Sequence, residues 1–208
     1  IPNSVTVIGE SAFNNCANLK KITLSGNLTT IGTGAFFYCS SLKDLKIPDS
    51  VTSVGDWAFC GCESLTEIVI PAGVTSIGSC VFAYCKGLTK VIIPDSVVSI
   101  GYAAFVDCIK LPRIDIPKSV KTIDKQAFRN CDGLTEVVIP DNVTTLGDEA
   151  FYAAEGIETV TLGKGITAIN NGAFNWCSNL REVIITGHTT SIGDGTFANC
   201  PNLKKFTI

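Results

Sequence analysis

Residues 47–70 read I-P-D-S-V-T-S-V-G-D-W-A-F-C-G-C-E-S-L-T-E-I-V-I, and this stretch decides the fold because its pattern recurs along the whole chain. The pattern returns every 23 residues without an insertion, and 208 residues equal nine such units plus one residue. A unit this short cannot bury its apolar side alone, whereas stacked copies cover one another. One phenylalanine marks each unit: Phe13, Phe36, Phe59, Phe82, Phe105, Phe128, Phe151, Phe174 and Phe197.

Each part of the unit predicts a local structure. The run from Leu65 to Ile70 alternates apolar and polar residues at its end and is rich in β-branched residues, which predicts a short strand. Pro71 ends that strand because proline cannot donate to a ladder. The V-T-x-I segment predicts a second extended stretch. Ala12, Phe13 and Cys16 have helical spacing, which predicts a short α or 3₁₀ turn.

Stacking these units predicts an α/β repeat solenoid, a right-handed stack with a parallel β-sheet on the concave face and short helical turns on the convex face. We expect the whole chain to form one domain. We also expect it to be a piece of a longer protein, because its first and last residues, Ile1 and Ile208, occupy the same repeat position. Uncapped ends would then associate end to end or be capped by the parent chain. The nine predicted coils are 2–24, 25–47, 48–70, 71–93, 94–116, 117–139, 140–162, 163–185 and 186–208.

Composition narrows the classes of function. With 46% hydrophobic and 17% charged residues, the chain carries too much apolar surface to be disordered. Its 16 basic and 19 acidic residues leave no basic field for a nucleic acid backbone. The apolar runs are too short to insert in a membrane. A single histidine and the absence of a phosphate-binding loop or carboxylate pair argue against an enzyme, a metal site and a cofactor.

Cysteine is unusually frequent, with ten residues, eight of which occupy one repeat position. Parallel side chains in a stack fit disulfide geometry poorly, and Ala154 fills the same position in the seventh coil. Both observations favour free thiols packed as small apolar groups, rather than disulfides or metal ligands. Cys60 and Cys80 lie outside this ladder on neighbouring coils. They are a candidate disulfide or, alternatively, two surface or half-buried thiols.

The repeat closely resembles the BspA-like leucine-rich repeat, found on the surfaces of bacteria and some protozoa. The matching residues are those of 47–70 and its relatives, so the resemblance covers the whole chain. It implies a secreted or cell-surface adhesion or ligand-binding module in an extracellular setting. It also implies that host matrix proteins are among the partners, and it offers no catalytic motif to transfer.

The concave strand face is the first candidate binding surface. Glu67, Val69, Lys90, Ile92 and Arg113 form the patch we predict to bind a protein or glycan, since Val69 and Ile92 are adjacent, exposed and apolar. The alternative is cross-strand charge pairing that only keeps the sheet soluble, by the pairs Lys21–Asp44, Glu67–Lys90 and Arg113–Glu136. The row that holds Val69 reads Thr23, Lys46, Val69, Ile92, Asp115, Val138, Thr161, Ile184 and Thr207.

Aromatic residues on the convex side are the second candidate surface. They could stack on sugars or anchor a partner. The alternative is that the rings fill grooves between turns, since Tyr38, Tyr84 and Trp176 share a repeat position. The aromatic residues that cluster on coils two to five are Phe37, Tyr38, Trp57, Tyr84 and Tyr102.

These observations predict a non-catalytic surface module that recognises a protein or glycan, with the concave sheet as its main site. The alternative function is a passive spacer or stalk, in which the repeats only set a distance. A localised apolar patch distinguishes the two, because a spacer tolerates any soluble residue on its surface.

Overall fold

The computed structural model describes all 208 residues as a stack of about nine turns joined by parallel strands. One row consists of two-residue strands, and the other row of longer strands. The short strands are β1 Val7–Ile8, β2 Thr30–Ile31, β3 Ser53–Val54, β5 Ser76–Ile77, β7 Ser99–Ile100, β8 Thr122–Ile123, β10 Thr145–Leu146, β12 Ala168–Ile169 and β14 Ser191–Ile192. The longer strands are β4 Glu67–Val69, β6 Lys90–Ile92, β9 Glu136–Ile139, β11 Thr159–Leu162, β13 Glu182–Ile185 and β15 Lys205–Thr207.

Strand pairing keeps the 23-residue register. Val7 pairs with Thr30 in the short row, and Glu67 pairs with Lys90 in the longer row. Every strand pair is parallel, so equivalent residues of successive coils lie beside one another. The predicted parallel solenoid is therefore confirmed. We call the side of the longer strands the strand face and the side of the Phe-containing segments the turn face.

The longer row is interrupted in the fifth coil. No strand forms at residues 113–115, so β4 and β6 make a separate two-stranded sheet, and β9 begins another. Pro112 explains the gap. Its counterpart Thr89 donates its N–H to the carbonyl of Thr66 at 2.8 Å, whereas proline has no N–H to donate.

The turn face contains no helix, so the predicted α or 3₁₀ turns on the convex side are wrong. Two residues of every coil have a positive φ, at the positions two before and two after the ladder phenylalanine. In the first coil these are Ser11 (φ 55°) and Asn15 (φ 59°). A left-handed residue every four positions cannot continue a right-handed helix. The A-F-x-x-C segment is instead a series of tight turns.

The hydrogen bonds of the turn face give the physical reason. In the first coil, the N–H groups of Ser11, Phe13 and Asn15 donate to carbonyls of the second coil at 2.7–2.9 Å. The intervening N–H groups, such as that of Asn14, bond three residues back within the coil. The same arrangement recurs at each junction through Gly172, Phe174 and Trp176. Alternate N–H groups therefore point along the stack, which a helix does not allow.

The core is a stack of phenylalanine rings. Neighbouring ladder rings have centroids 5.0–5.7 Å apart and lie within 16° of parallel. The seven rings from Phe36 to Phe174 are fully buried, whereas Phe13 and Phe197 in the first and last coils are partly buried. Each inner ring is therefore covered on both faces by its neighbours.

The ladder cysteines are free thiols, and most are buried among these rings. Every ladder thiol except that of Cys16 in the first coil donates to the carbonyl of the ladder phenylalanine in the preceding coil. Cys108 Sγ, for example, lies 3.3 Å from Phe82 O, and the seven such distances are 3.1–3.3 Å. Cysteine thus combines small apolar volume with a weak donor. Ala154 retains the volume without the donor.

We expect Phe105→Ala to lower the free energy of unfolding by about 3–5 kcal/mol, because it removes a ring that is packed on both faces. Phe13→Ala is the matched control and should cost clearly less, since Phe13 is partly buried and stacks on one ladder ring. Guanidinium unfolding followed by circular dichroism measures both. Equal losses would contradict a core supported by stacking across coils.

Candidate ligand-binding surfaces

The predicted strand-face patch lies on the isolated two-stranded sheet formed by β4 and β6. Val69 pairs with Ile92 and Glu67 with Lys90, so the four side chains form a square on the exposed side. Val69 is 54% and Ile92 43% exposed. Lys90 Nζ lies 4.0 Å from Glu67 Oε2, and both side chains are well exposed, so this ion pair contributes little stability. The charges of Lys90 and Glu67 therefore remain accessible to a binding partner.

Arg113, the fifth residue of the predicted patch, stands apart from these four. It lies in the interrupted fifth coil and pairs with Asp115 two residues later, not with Glu136. Of the three predicted cross-strand pairs, only Glu67–Lys90 forms an ion pair; Lys21 and Asp44 share an isolated backbone bridge instead. Glu182 and Lys205 of the same row also form a cross-strand ion pair, at 2.6 Å, so charge pairing occurs along the face but not at every predicted position.

Two open grooves flank the β4–β6 sheet. One has a volume of about 620 Å³ and is lined by residues of the first three coils, including Lys21, Lys46 and Glu67. The other, of about 1030 Å³, begins at Pro112 and Arg113 and extends to Thr186. The sheet carrying Val69 and Ile92 is thus an apolar ridge between two grooves. The second groove begins at the strand break in the fifth coil, so its position depends on how that coil pairs with its neighbours.

Three of the predicted turn-face aromatics contact one another directly. The ring of Phe37 meets Tyr38 edge-on at 4.6 Å between centroids and Trp57 at 6.1 Å. The ring of Tyr38 also covers Gly61, since a β-carbon at Gly61 would lie 2.8 Å from Tyr38 Cδ1. The rings of Phe37 and Tyr38 therefore contact residues of the next coil along the stack.

Tyr84 and Tyr102 complete the aromatic group without joining its ring contacts. Burial is the main factor that raises the pKa of Tyr84, followed by the charges of Asp107, Cys60 and Tyr38. The Tyr102 hydroxyl lies 3.1 Å from Gln126 Oε1. Tyr38, Trp57, Tyr84 and Tyr102 are each 39–42% exposed. The rings are thus anchored at one edge and open to solvent at the other.

Cys60 and Cys80 lie in one small cluster on the turn face, outside the main core. Both are free thiols and both are buried, at 1% and 3% exposed, so the expectation of surface or half-buried thiols is wrong. Cys60 comes one residue after its ladder phenylalanine, and Cys80 comes two residues before the ladder phenylalanine of the next coil. The two positions pack together across the coils, and Phe37 packs against them. Burial, with a smaller contribution from Cys80, raises the pKa of Cys60 to about 12.

Sequence reasoning missed a polar network further along the turn face. Arg129 lies 2.8 Å from Glu149 and stacks over the ring of Tyr152 at 4.5 Å. Gln126 Nε2 donates to the same Glu149 carboxylate at 2.6 Å. The contacting residues are 20 or 23 positions apart in the sequence, and only the coil register brings them together. Comparing residues at neighbouring repeat positions of successive coils could have predicted this network from the sequence.

We expect oxidation to join Cys60 and Cys80, because both thiols lie in the same buried cluster. The reaction should be slow near pH 7 and faster at higher pH, since a pKa of about 12 leaves little of the attacking Cys60 thiolate. Mass spectrometry of the peptides after treatment with diamide measures the cross-link. Cys80→Ala is the control, and complete alkylation of both thiols after oxidation would contradict the pairing.

No group of three or more His, Cys, Asp or Glu side chains is arranged to hold a metal ion. No helix of sufficient length and hydropathy to cross a bilayer is present.

Comparison with known proteins places the repeat in a family. The profile described as "BspA type Leucine rich repeat region", in six copies, matches residues 1–112 and 99–208. No curated protein sequence matches the chain.

Solved structures of bacterial leucine-rich repeat proteins are similar in fold. The T. pallidum Leucine Rich Repeat protein is 33% identical, with a TM-score of 0.70 over 74% of this chain and 72% of that one. A leucine-rich repeat protein from Bacteroides ovatus is 30% identical, with a TM-score of 0.69 over 98% of this chain, which spans 64% of that protein. A leucine rich cell surface protein from Faecalibacterium prausnitzii is 30% identical, with a TM-score of 0.55 over 100% of this chain and 72% of that one. The chain belongs to the BspA-type leucine-rich repeat family.

Proposed function

We propose that this chain is a non-catalytic binding module that recognises a protein or glycan through its strand face, which we expect to be concave. Membership of a leucine-rich repeat family agrees with a binding or structural role. The observation that carries the proposal is the exposed pair Val69 and Ile92 on an isolated sheet between two grooves. Apolar side chains at the centre of a polar rim are typical of binding sites.

The ridge and its grooves have complementary roles in this proposal. Val69 and Ile92 are paired strand neighbours, so they present one continuous apolar surface at fixed backbone positions. Such a surface loses little entropy on binding, because β-branched side chains are stiff. Glu67 and Lys90 beside it present both signs of charge and so favour a partner with both donors and acceptors.

The proposed location is the outside of a cell, either secreted or attached to the surface. Its support is the similarity to a Faecalibacterium prausnitzii protein described as a cell surface protein. In that setting adhesion to a host or matrix protein is the binding role we favour. A passive spacer is the alternative, and it requires no partner for the Val69–Ile92 ridge.

The binding proposal is tested with a double variant, Val69→Asp/Ile92→Lys, applied with the wild-type chain to an array of matrix proteins and glycans. We expect at least one ligand whose affinity falls more than tenfold in the variant, because two charges replace the apolar centre. Val98→Asp is the matched control. Val98 is an equally exposed valine (47%), but it directly precedes β7 of the short row and lines neither groove.

The outcomes separate the candidate functions. A ligand lost in the double variant and kept in Val98→Asp supports binding at the ridge, provided circular dichroism shows intact folding. A ligand kept in both variants moves the site away from the ridge. An array without any ligand supports the spacer.

We also propose that the isolated chain associates end to end with a second copy. In the isolated chain, the N–H groups of Gly195, Phe197 and Asn199 in the ninth coil donate no backbone hydrogen bond, and the equivalent carbonyls of the first coil accept none. Partly buried Phe13 and Phe197 lie at the same two ends. The two ends are therefore complementary in both polar and apolar groups.

Light scattering across a dilution series tests this association. We expect the average mass to rise with concentration, and Phe206→Lys, which places a charge on a 40% exposed ring in the last coil, to reduce the rise. A variant on the turn face away from both ends, Tyr102→Lys, is the control and should not change it. A constant monomer mass at high concentration would contradict the proposal.

A further inference from the structure

The turn face carries large aromatic residues where the backbone conformation disfavours them. Tyr38, Trp57 and Tyr84 have φ values of 53°, 62° and 59°. At a positive φ a bulky side chain is unusual, whereas Gly, Asn and Asp are readily accommodated. The coils that share the Tyr38 and Tyr84 position confirm that small residues fit there, since they include Gly61, Asp107, Asn15, Asn130, Ala153 and Asn199.

The turn does not need large rings at these positions. Their presence in a strained backbone conformation therefore indicates a binding role for the exposed side chains. We call the group of Tyr38, Trp57, Tyr84, Tyr102 and Phe37 the aromatic platform, in which the ring of Phe37 contacts those of Tyr38 and Trp57. Tyr38 is held against Gly61 and the edge of Phe37, and Tyr102 is fixed by its hydrogen bond to Gln126. The platform is therefore ordered before any partner binds, which lowers the entropic cost of binding.

Polar groups that recognise hydroxyls continue the same row. Asp107 follows Tyr84 by one coil and Asn130 follows by two, and Asn130 Nδ2 lies 3.3 Å from Asp107 Oδ1. A carboxylate beside an amide offers acceptors and donors for neighbouring hydroxyl groups. The nearby Lys86 and Glu63 neutralise each other at 2.9 Å, so no strong positive field is present to attract an anion.

We propose that the aromatic platform binds a neutral oligosaccharide, with sugar rings stacked on Tyr38 and Tyr84 and hydroxyl groups bound by Asp107 and Asn130. This site is on the opposite side of the coil from the strand-face ridge and is independent of it. Tyr38 and Tyr84 are two coils apart, or roughly 10 Å at the spacing of parallel strands. That separation is similar to the length of a disaccharide in an extended β-linked chain.

A glycan fits this surface better than a peptide does. The two large grooves of the molecule are both on the strand face. The platform is a row of half-exposed rings, and its member Phe37 packs against the buried cluster that includes Cys60, Cys80 and Ala83. Flat rings match the apolar faces of sugars, whereas side-chain anchors of a peptide need pockets.

The chain provides its own optical reporter, because Trp57 and Trp176 are its only two tryptophans. In the variant Trp176→Phe, the emission comes from Trp57 on the platform. We propose to titrate this variant with hexasaccharides of β-linked glucose and of β-linked N-acetylglucosamine. We expect a saturable change in Trp57 emission with one of them, and an apparent affinity about tenfold weaker when Tyr84→Ala or Tyr38→Ala is added.

Trp176 supplies the matched control. It has the same repeat position as Tyr38 and Tyr84, a φ of 63° and 49% exposure, but it lies on the eighth coil, away from the platform. In the variant Trp57→Phe, the remaining Trp176 emission should not respond to the same sugar. Asp107→Ala should weaken binding without changing the circular dichroism spectrum.

Three results would overturn the proposal. The first is an unchanged Trp57 emission with every hexasaccharide up to about 10 mM in folded protein. The second is an affinity that is unaffected by Tyr38→Ala and Tyr84→Ala. The third is loss of a protein ligand, but of no sugar, in these variants. The Val69→Asp/Ile92→Lys variant should keep its sugar response, so failure at the ridge and failure at the platform are distinguishable.

Discussion

The hydrogen bonds between the turn segments of neighbouring coils are the constraint on which the rest of the structure depends. Three N–H groups per coil donate along the stack at 2.7–3.0 Å, which fixes each coil relative to the next without any slip in register. Two residues per coil must adopt a positive φ to aim these groups. Once the register is fixed, equivalent side chains must stack, and the phenylalanine ladder is the direct result.

The same register turns each repeat position into a row that runs the length of the molecule. Inside, the rows are nearly uniform, because any change of volume would disturb two neighbouring coils. The exception is informative: Ala154 replaces a ladder cysteine and remains fully buried, so the position requires a small residue more than a thiol. The thiol adds a weak hydrogen bond to the phenylalanine carbonyl of the preceding coil.

Outside, the rows are interrupted, and the interruptions create the two candidate binding surfaces. On the strand face, Pro112 ends the pairing, so Val69 and Ile92 stand on a separate sheet between two grooves. On the turn face, Tyr38 and Tyr84 stand on either side of Gly61, and Asp107 follows them. A regular core thus leaves the surface free to vary from coil to coil, which suits a binding module.

The sequence by itself determined the repeat length, the number of coils, the two strand rows and the membership of the core, because all of these follow from a period without insertions. It also determined that Val69 and Ile92 are exposed neighbours, since alternation within a strand and a shift of 23 residues are sufficient to place them. The tertiary structure decided what depends on a neighbouring coil. The A-F-x-x-C segment has helical spacing yet forms no helix, because half of its N–H groups find acceptors 22 residues away. Arg113 pairs with Asp115 of its own coil, and Cys60 is buried beside Cys80 of the next coil, because such contacts depend on backbone turns and rotamers that no linear pattern specifies.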